Sequence, residues 1–167
     1  EGNIVVGRTL GEEADARGKS PIDTAIEIIL EGGSNIANFV IKEDDLKAFI
    51  QKPWVMTSSD GSYGHPRKFA TFPTKYKNYV VGKKYLSLQE FIHRSTGLTA
   101  DTFNLCDRGY IKPDKYADIV IFDPDNFAPV ANFINPRELS VGVKYLLING
   151  GIAIDSGELT GELLGRG

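Results

Sequence analysis

Cysteine, histidine and net charge are all scarce in this sequence. Its single cysteine, Cys106, rules out an intramolecular disulfide and any cysteine-based zinc cluster built within the chain. Two histidines, His65 and His93, are too few for a histidine-rich metal centre. A formal net charge of -3 supplies no field to hold nucleic acid or an anionic membrane, so neither is expected as a partner. The longest apolar runs, around Ala25–Leu30, fall far short of the roughly 20 residues that a membrane-spanning helix needs. The chain opens on Glu1-Gly2-Asn3 without an initiator Met and without a signal-peptide pattern, and is expected to be cut from a longer protein. The lone cysteine agrees with a cytoplasmic address and equally fits a periplasmic one. What remains, 41% hydrophobic and 25% charged residues over 167 positions, is the composition of a globular chain with room for one ordinary domain or two small ones.

The first half has the rhythm of alternating helices and strands. Ser20-Pro21 reads as a helix start, with Ser as the cap and Pro in the first turn. Ile22, Ala25, Ile26, Ile29 and Leu30 follow at helical spacing, and Gly32-Gly33 stops them. Residues 36–41 are a strand candidate. Residues 42–51 carry Leu46, Phe49 and Ile50 at helical spacing before Pro53, and Trp54-Val55-Met56 is a second short strand candidate. This succession predicts α/β architecture with parallel strands. Residues 62–85 read as a long irregular loop, rich in aromatics and therefore functional rather than disordered. Ser87 and Glu90 form a capping box at the head of a further helix. Thereafter the pattern turns to β: Asp118–Asp123, then Val143–Ile148, with Asn149-Gly150-Gly151 as a hairpin turn into Ile152-Ala153-Ile154.

Four segments in order carry a resemblance. Thr57-Ser58-Ser59-Asp60-Gly61-Ser62, with His65-Pro66-Arg67 and Thr71-Phe72-Pro73, resembles the signature of the D-aminoacylase group of amidohydrolases, the N-acyl-D-amino-acid deacylases. Asp107-Arg108-Gly109 followed by Ala117-Asp118-Ile119-Val120-Ile121-Phe122-Asp123 resembles a later segment of the same enzymes. Residues 143–150 with Gly157 and Thr160-Gly161 resemble their last hairpin and tail. Gly7-Arg8-Thr9-Leu10, Arg17-Gly18-Lys19, Pro21 and Asp23-Thr24-Ala25 fit the stretch before them. Three positions depart from the pattern: Ala70 and Asp114 stand where Gly is usual, and Leu164 where Pro is common. Asp tolerates a left-handed backbone, so the turn at Asp114 is expected to persist.

The resemblance implies the C-terminal part of a (β/α)8 amidohydrolase barrel followed by a small β domain, with the N-terminal barrel strands missing. Residues 1–100 would supply the last β/α units, with residues 36–41 as strand 7, residues 54–57 as strand 8 and an active-site loop at 58–85. Residues 101–167 would form the C-terminal part of a small β-sandwich domain. Asp60 then falls just past the C-terminal end of a barrel strand, where such enzymes build their sites. The implied reaction is hydrolysis of the amide of an N-acyl-D-amino acid, a small-molecule substrate. Zinc in the full-length enzyme supplies hydroxide at neutral pH. Asp60 borders that metal and acts as the carboxylate that takes up and returns the proton. Arg67 is implied to bind the substrate's free α-carboxylate, which a guanidinium clamps through two parallel hydrogen bonds.

Read without the resemblance, Ser59-Asp60-Gly61 is ordinary turn chemistry and Arg67 an ordinary surface arginine. His65 lacks a partner at ligand spacing and fits a supporting role better than a metal ligand. His93 reads as a surface residue and Cys106 as an inert, partly buried thiol. Tyr63, Phe69, Phe72 and Tyr76 either wall a pocket or pack the loop. Because one carboxylate cannot hold zinc usefully, the chain alone is expected to bind none and to be inactive. An incomplete barrel also predicts self-association through open strand edges and exposed apolar faces. Two alternatives stand beside the deacylase: an amidohydrolase acting on cyclic or linear amides, like dihydroorotases, and a non-catalytic α/β binding module descended from such enzymes.

Overall fold

The structure, a computed structural model, describes residues 7–33, 36, 40–61 and 65–166. Its contacts divide the chain into two units, residues 1–40 and 41–167.

In the first unit, α1 (Leu10–Arg17) and α2 (Pro21–Leu30) pack against each other. Thr9 and Glu12 cap α1 reciprocally, and Gly18 ends it in the left-handed conformation, φ 63°. Ser20 caps α2 with Pro21 in its first turn, as expected. Arg17 bonds Glu13 at 2.9 Å and Glu31 at 3.0 Å, so one guanidinium ties both helices. Buried Ala14 and Thr24 fill this unit, while Ile22, Ile26, Ile29 and Leu30 stay exposed.

The second unit joins helices to one antiparallel sheet. α3 (Glu43–Ile50) matches the expected 42–51 helix and stops before Pro53. The expected parallel strands are not found among the described residues. Residues 37–39 lie outside the described set, and residues 54–57 are not in a strand. A strand exists through its ladder, and no strand runs beside this segment among the described residues.

The loop expected at 62–85 is largely helical. α4 (Arg67–Lys75) runs into a π-helical segment, Tyr76–Gly82. The expectation failed because Pro73 reads as a breaker. Pro73 lacks the N–H that would reach the Phe69 carbonyl. Yet it is buried with Ala70 and Tyr76 on the inward face, and that packing keeps the helix. The turns after it widen, with Lys83 N–H donating to the Asn78 carbonyl at 2.8 Å. α5 (Leu88–Ser95) starts on the expected Ser87–Glu90 capping box, and α6 (Gly97–Thr102) follows.

β1 (Ile119–Phe122), β2 (Val143–Ile148), β3 (Gly151–Asp155) and β4 (Glu158–Leu159) form a sheet in sequence order. Asn149 and Gly150 both take positive φ at the expected hairpin, and so does Asp114. Asp118 fastens the hairpin to the head of β1, accepting from the Asn149 N–H at 2.8 Å while holding Arg108 at 3.1 Å. Tyr76, Phe91, Phe122 and Phe127 pack as an aromatic cluster, with Tyr76 5.6 Å from Phe91, 5.9 Å from Phe122 and 5.5 Å from Phe127. The Tyr76 hydroxyl donates to the Pro124 carbonyl at 3.1 Å. This cluster locks α4, α5 and the sheet into one core, which fixes where α4 presents its first turn.

Candidate active site

The site is built on the segment after α3 and on the first turn of α4. Arg94, buried on α5, donates to the carbonyl of Ile50 at the end of α3 and to that of Lys52, which also accepts from the Val55 N–H. Its own carbonyl accepts from the Thr57 N–H at 3.0 Å, so α5 fixes both ends of residues 50–57. The chain then leads outward through Ser58 and Ser59 to Asp60. At the start of α4, His65 Nδ1 accepts from the Arg67 N–H at 3.1 Å and so satisfies one of the helix's orphan donors. Pro66 precedes the helix with φ -66°, a value its ring presets.

The two residues singled out by sequence meet here. Arg67 Nη2 lies 2.8 Å from Asp60 Oδ2. Their side chains are 38% and 70% exposed, so the pair sits at the surface and its strength is about 1 kcal/mol or less. An incoming carboxylate can therefore exchange with Asp60 on the guanidinium at small cost. His65 lies edge-on against Phe133, with ring centres 5.0 Å apart. Burial, then the Arg67 charge, lowers the His65 pKa, while the Asp60 charge acts the other way. His65 Nδ1, accepting the Arg67 N–H, acts as a cap.

Beside this pair opens a cleft of about 690 Å³. Phe49 and Ile50 of α3, Val55 and Met56 after it, Ala70 of α4 and Phe133 give it apolar walls. Arg67, Thr71, Thr74 and Lys75 line it from α4, four residues whose spacing puts them on one helical face. Of the two roles open to the loop aromatics, packing is the one seen. Tyr76 is in the core, Phe69 and Phe72 do not line the cleft, and Tyr63 lies outside the described residues. Cys106 is exposed rather than partly buried, because it sits in a turn after α6 where Asn104 has φ 55°. His93 is exposed, as expected.

Lys75 is the residue that sequence reasoning missed. Its side chain is buried and donates to Thr57 Oγ1 at 2.7 Å. Burial, helped by the Arg94 charge, lowers its pKa to about 8. Reading residues 67–75 as a helix would have placed it with Arg67 at a spacing of eight.

Among the described residues, no group of three or more His, Cys, Asp or Glu side chains is placed to hold a metal ion. Asp60 has one oxygen on Arg67 and belongs to no such group, so the described residues do not by themselves fit a zinc site.

Comparison with known proteins identifies the family. The amidohydrolase family profile matches residues 2–154. The chain is 33% identical over 164 residues to a D-aminoacylase of Alcaligenes xylosoxydans xylosoxydans, covering 96% of this chain and 33% of that protein. A crystal structure of D-aminoacylase superposes with a TM-score of 0.78 at 33% identity, over 93% of this chain and 33% of that one. An N-acyl-D-glutamate deacylase of Bordetella bronchiseptica, solved with zinc and a phosphonate inhibitor, superposes with a TM-score of 0.74 at 29% identity, over 95% and 34%. The chain spans about a third of the length of these relatives. With the profile covering nearly all of its residues, this chain belongs to the amidohydrolase family.

Proposed function

We propose that this chain is the C-terminal part of a metal-dependent hydrolase that cleaves N-acyl-D-amino acids to a carboxylate and a D-amino acid. The observation that carries the reading is the Asp60–Arg67 pair, 2.8 Å apart at the edge of an apolar cleft. It brings together a carboxylate and a guanidinium, whose planar fork matches a carboxylate. Relatives named for D-aminoacylase, N-acyl-D-aspartate deacylase and N-acyl-D-glutamate deacylase activity support the amide and the D-amino acid as substrate chemistry.

In this reading Arg67 exchanges Asp60 for the substrate's α-carboxylate, which orients the scissile amide. Asp60, released, takes the proton of the attacking water and returns it to the leaving nitrogen. The cleft beside them accepts an apolar acyl group. Zinc belongs to the whole protein, on ligands outside this chain, and the chain's own residues act only in proton transfer and carboxylate binding. Residues 1–100 would then be the last units of a (β/α)8 barrel, and residues 101–167 part of a small β-sandwich domain. A linear amide is favoured over a cyclic one because the relatives named above are all N-acyl-D-amino-acid hydrolases.

The test is made on the full-length protein. Metal content is measured together with release of D-methionine from N-acetyl-D-methionine, with and without Asp60→Ala. Zinc-loaded protein that hydrolyses the substrate, and loses hydrolysis with Asp60→Ala, is the expected result. Metal-replete protein inert on every N-acyl-D-amino acid, yet active on a cyclic amide, overturns the assignment.

A further inference from the structure

The cleft has a one-sided charge. Its described lining includes two cations, Arg67 and Lys75, together with His65, and no carboxylate. Arg67 has Asp60 as its counter-ion. Lys75 has none. Its side chain is only 9% exposed, its one hydrogen bond among the described residues is to the neutral Thr57 hydroxyl, and the charge acting on it is that of Arg94, another buried cation. Arg94 is itself satisfied by two backbone carbonyls and by Glu90, at 3.4 Å, whose side chain is half exposed. A buried ammonium with one hydrogen bond and no anion beside it among the described residues is an unbalanced arrangement in a site of low dielectric. Ser95 cannot balance it. Its hydroxyl donates to the Phe91 carbonyl at 2.7 Å and lies 2.9 Å from Thr57 Oγ1, so it completes the neutral partner only.

We infer that Lys75 anchors a carboxylate-binding subsite in this cleft, separate from the Asp60–Arg67 pair, whose ligand is a carboxylate with an apolar body. The charge selects the head of the ligand and the walls select its body: Phe49, Ile50, Val55 and Met56 supply apolar surface. Spacing keeps the two cations apart. They stand eight positions apart on α4, about 12 Å along the helix axis, so a ligand on Lys75 leaves Arg67 on Asp60. The subsite shares the apolar walls that the proposed reaction gives to the acyl group, but its anchor is distinct, because neither Lys75 nor Thr57 has a part in amide hydrolysis.

Octanoate is the probe, and octanamide its neutral counterpart. The protein carries ¹³C-labelled lysine, and the Lys75 side-chain resonance is followed by NMR as pH is varied, with each compound in turn. Octanoate is expected to raise the Lys75 titration midpoint by one pH unit or more, which is a tenfold preference for the ammonium form. Octanamide is expected to leave the midpoint where it is. At pH 7, Lys75→Met weakens octanoate binding at least fivefold and Lys75→Arg keeps it. Equal binding of octanoate and octanamide, an unmoved midpoint at saturating octanoate, or undiminished binding to Lys75→Met overturns the inference. Should Lys75→Met fail to fold, the wild-type titration decides alone.

Discussion

Replacing Lys75 by Met is expected to stabilise the folded chain at neutral pH. Folding lowers the Lys75 pKa from 10.5 to about 8, with burial as the leading cause. At about 1.4 kcal/mol per pH unit, the protonated side chain costs the fold about 3 kcal/mol. Met has similar length and adapts its shape, so it fills the same space without that cost. Against the gain stands the lost hydrogen bond to Thr57 Oγ1, about 1 kcal/mol, since that hydroxyl keeps Ser95 as a neighbour. The net expectation is about 2 kcal/mol in favour of Lys75→Met at pH 7. The sign follows from the protons bound. Between pH 8 and 10.5 the unfolded lysine holds a proton that the folded one has lost, so wild-type stability rises with pH through that window. Above it the cost has vanished, and the variant is the less stable by about 1 kcal/mol. Urea unfolding of both proteins at pH 7 and pH 10.5 reads this directly, and the difference between them cancels the other titrating groups. A variant less stable at pH 7, or a difference that does not change with pH, refutes the reasoning.

In the full-length protein, Asp60→Asn is expected to lower kcat by about a hundredfold or more for N-acetyl-D-methionine with metal content unchanged, because proton transfer is lost. Arg67→Lys there is expected to raise KM more than it lowers kcat, since Lys replaces a two-point clamp by one point charge; steady-state kinetics separate the two. Gly142→Ala is expected to cost more than about 2 kcal/mol in a urea melt. At φ 91° its Cβ would lie 2.5 Å from the backbone of Phe127. Ser87→Ala removes the α5 capping box and is expected to cost about 1 kcal/mol, read as a lower Tm. With Ile22, Ile29, Leu30, Phe49 and Trp54 exposed, the isolated chain is expected to self-associate in sedimentation as its concentration rises, and a monomer at all concentrations would refute this.

Local signals were legible wherever the chemistry is local. The Ser20-Pro21 start, the Ser87–Glu90 capping box, the Asn149-Gly150 turn and the strand at 119–122 depend on residues a few positions apart, and the sequence alone determined them. It also singled out Asp60 and Arg67, through the order of motifs rather than through spacing. Tertiary structure decided the rest. Pro73 sits inside a helix because the aromatic cluster around Tyr76 pays for the missing hydrogen bond. Residues 54–57 form no strand because a strand needs a neighbour, which a run of apolar residues cannot provide for itself. Lys75 shows the limit most plainly. Its charge is written in the sequence, but its burial and its bond to a residue 18 positions earlier are set by how α4, α5 and the 50–57 segment come together. A side chain's pKa is a property of its surroundings, and only the fold assembles those.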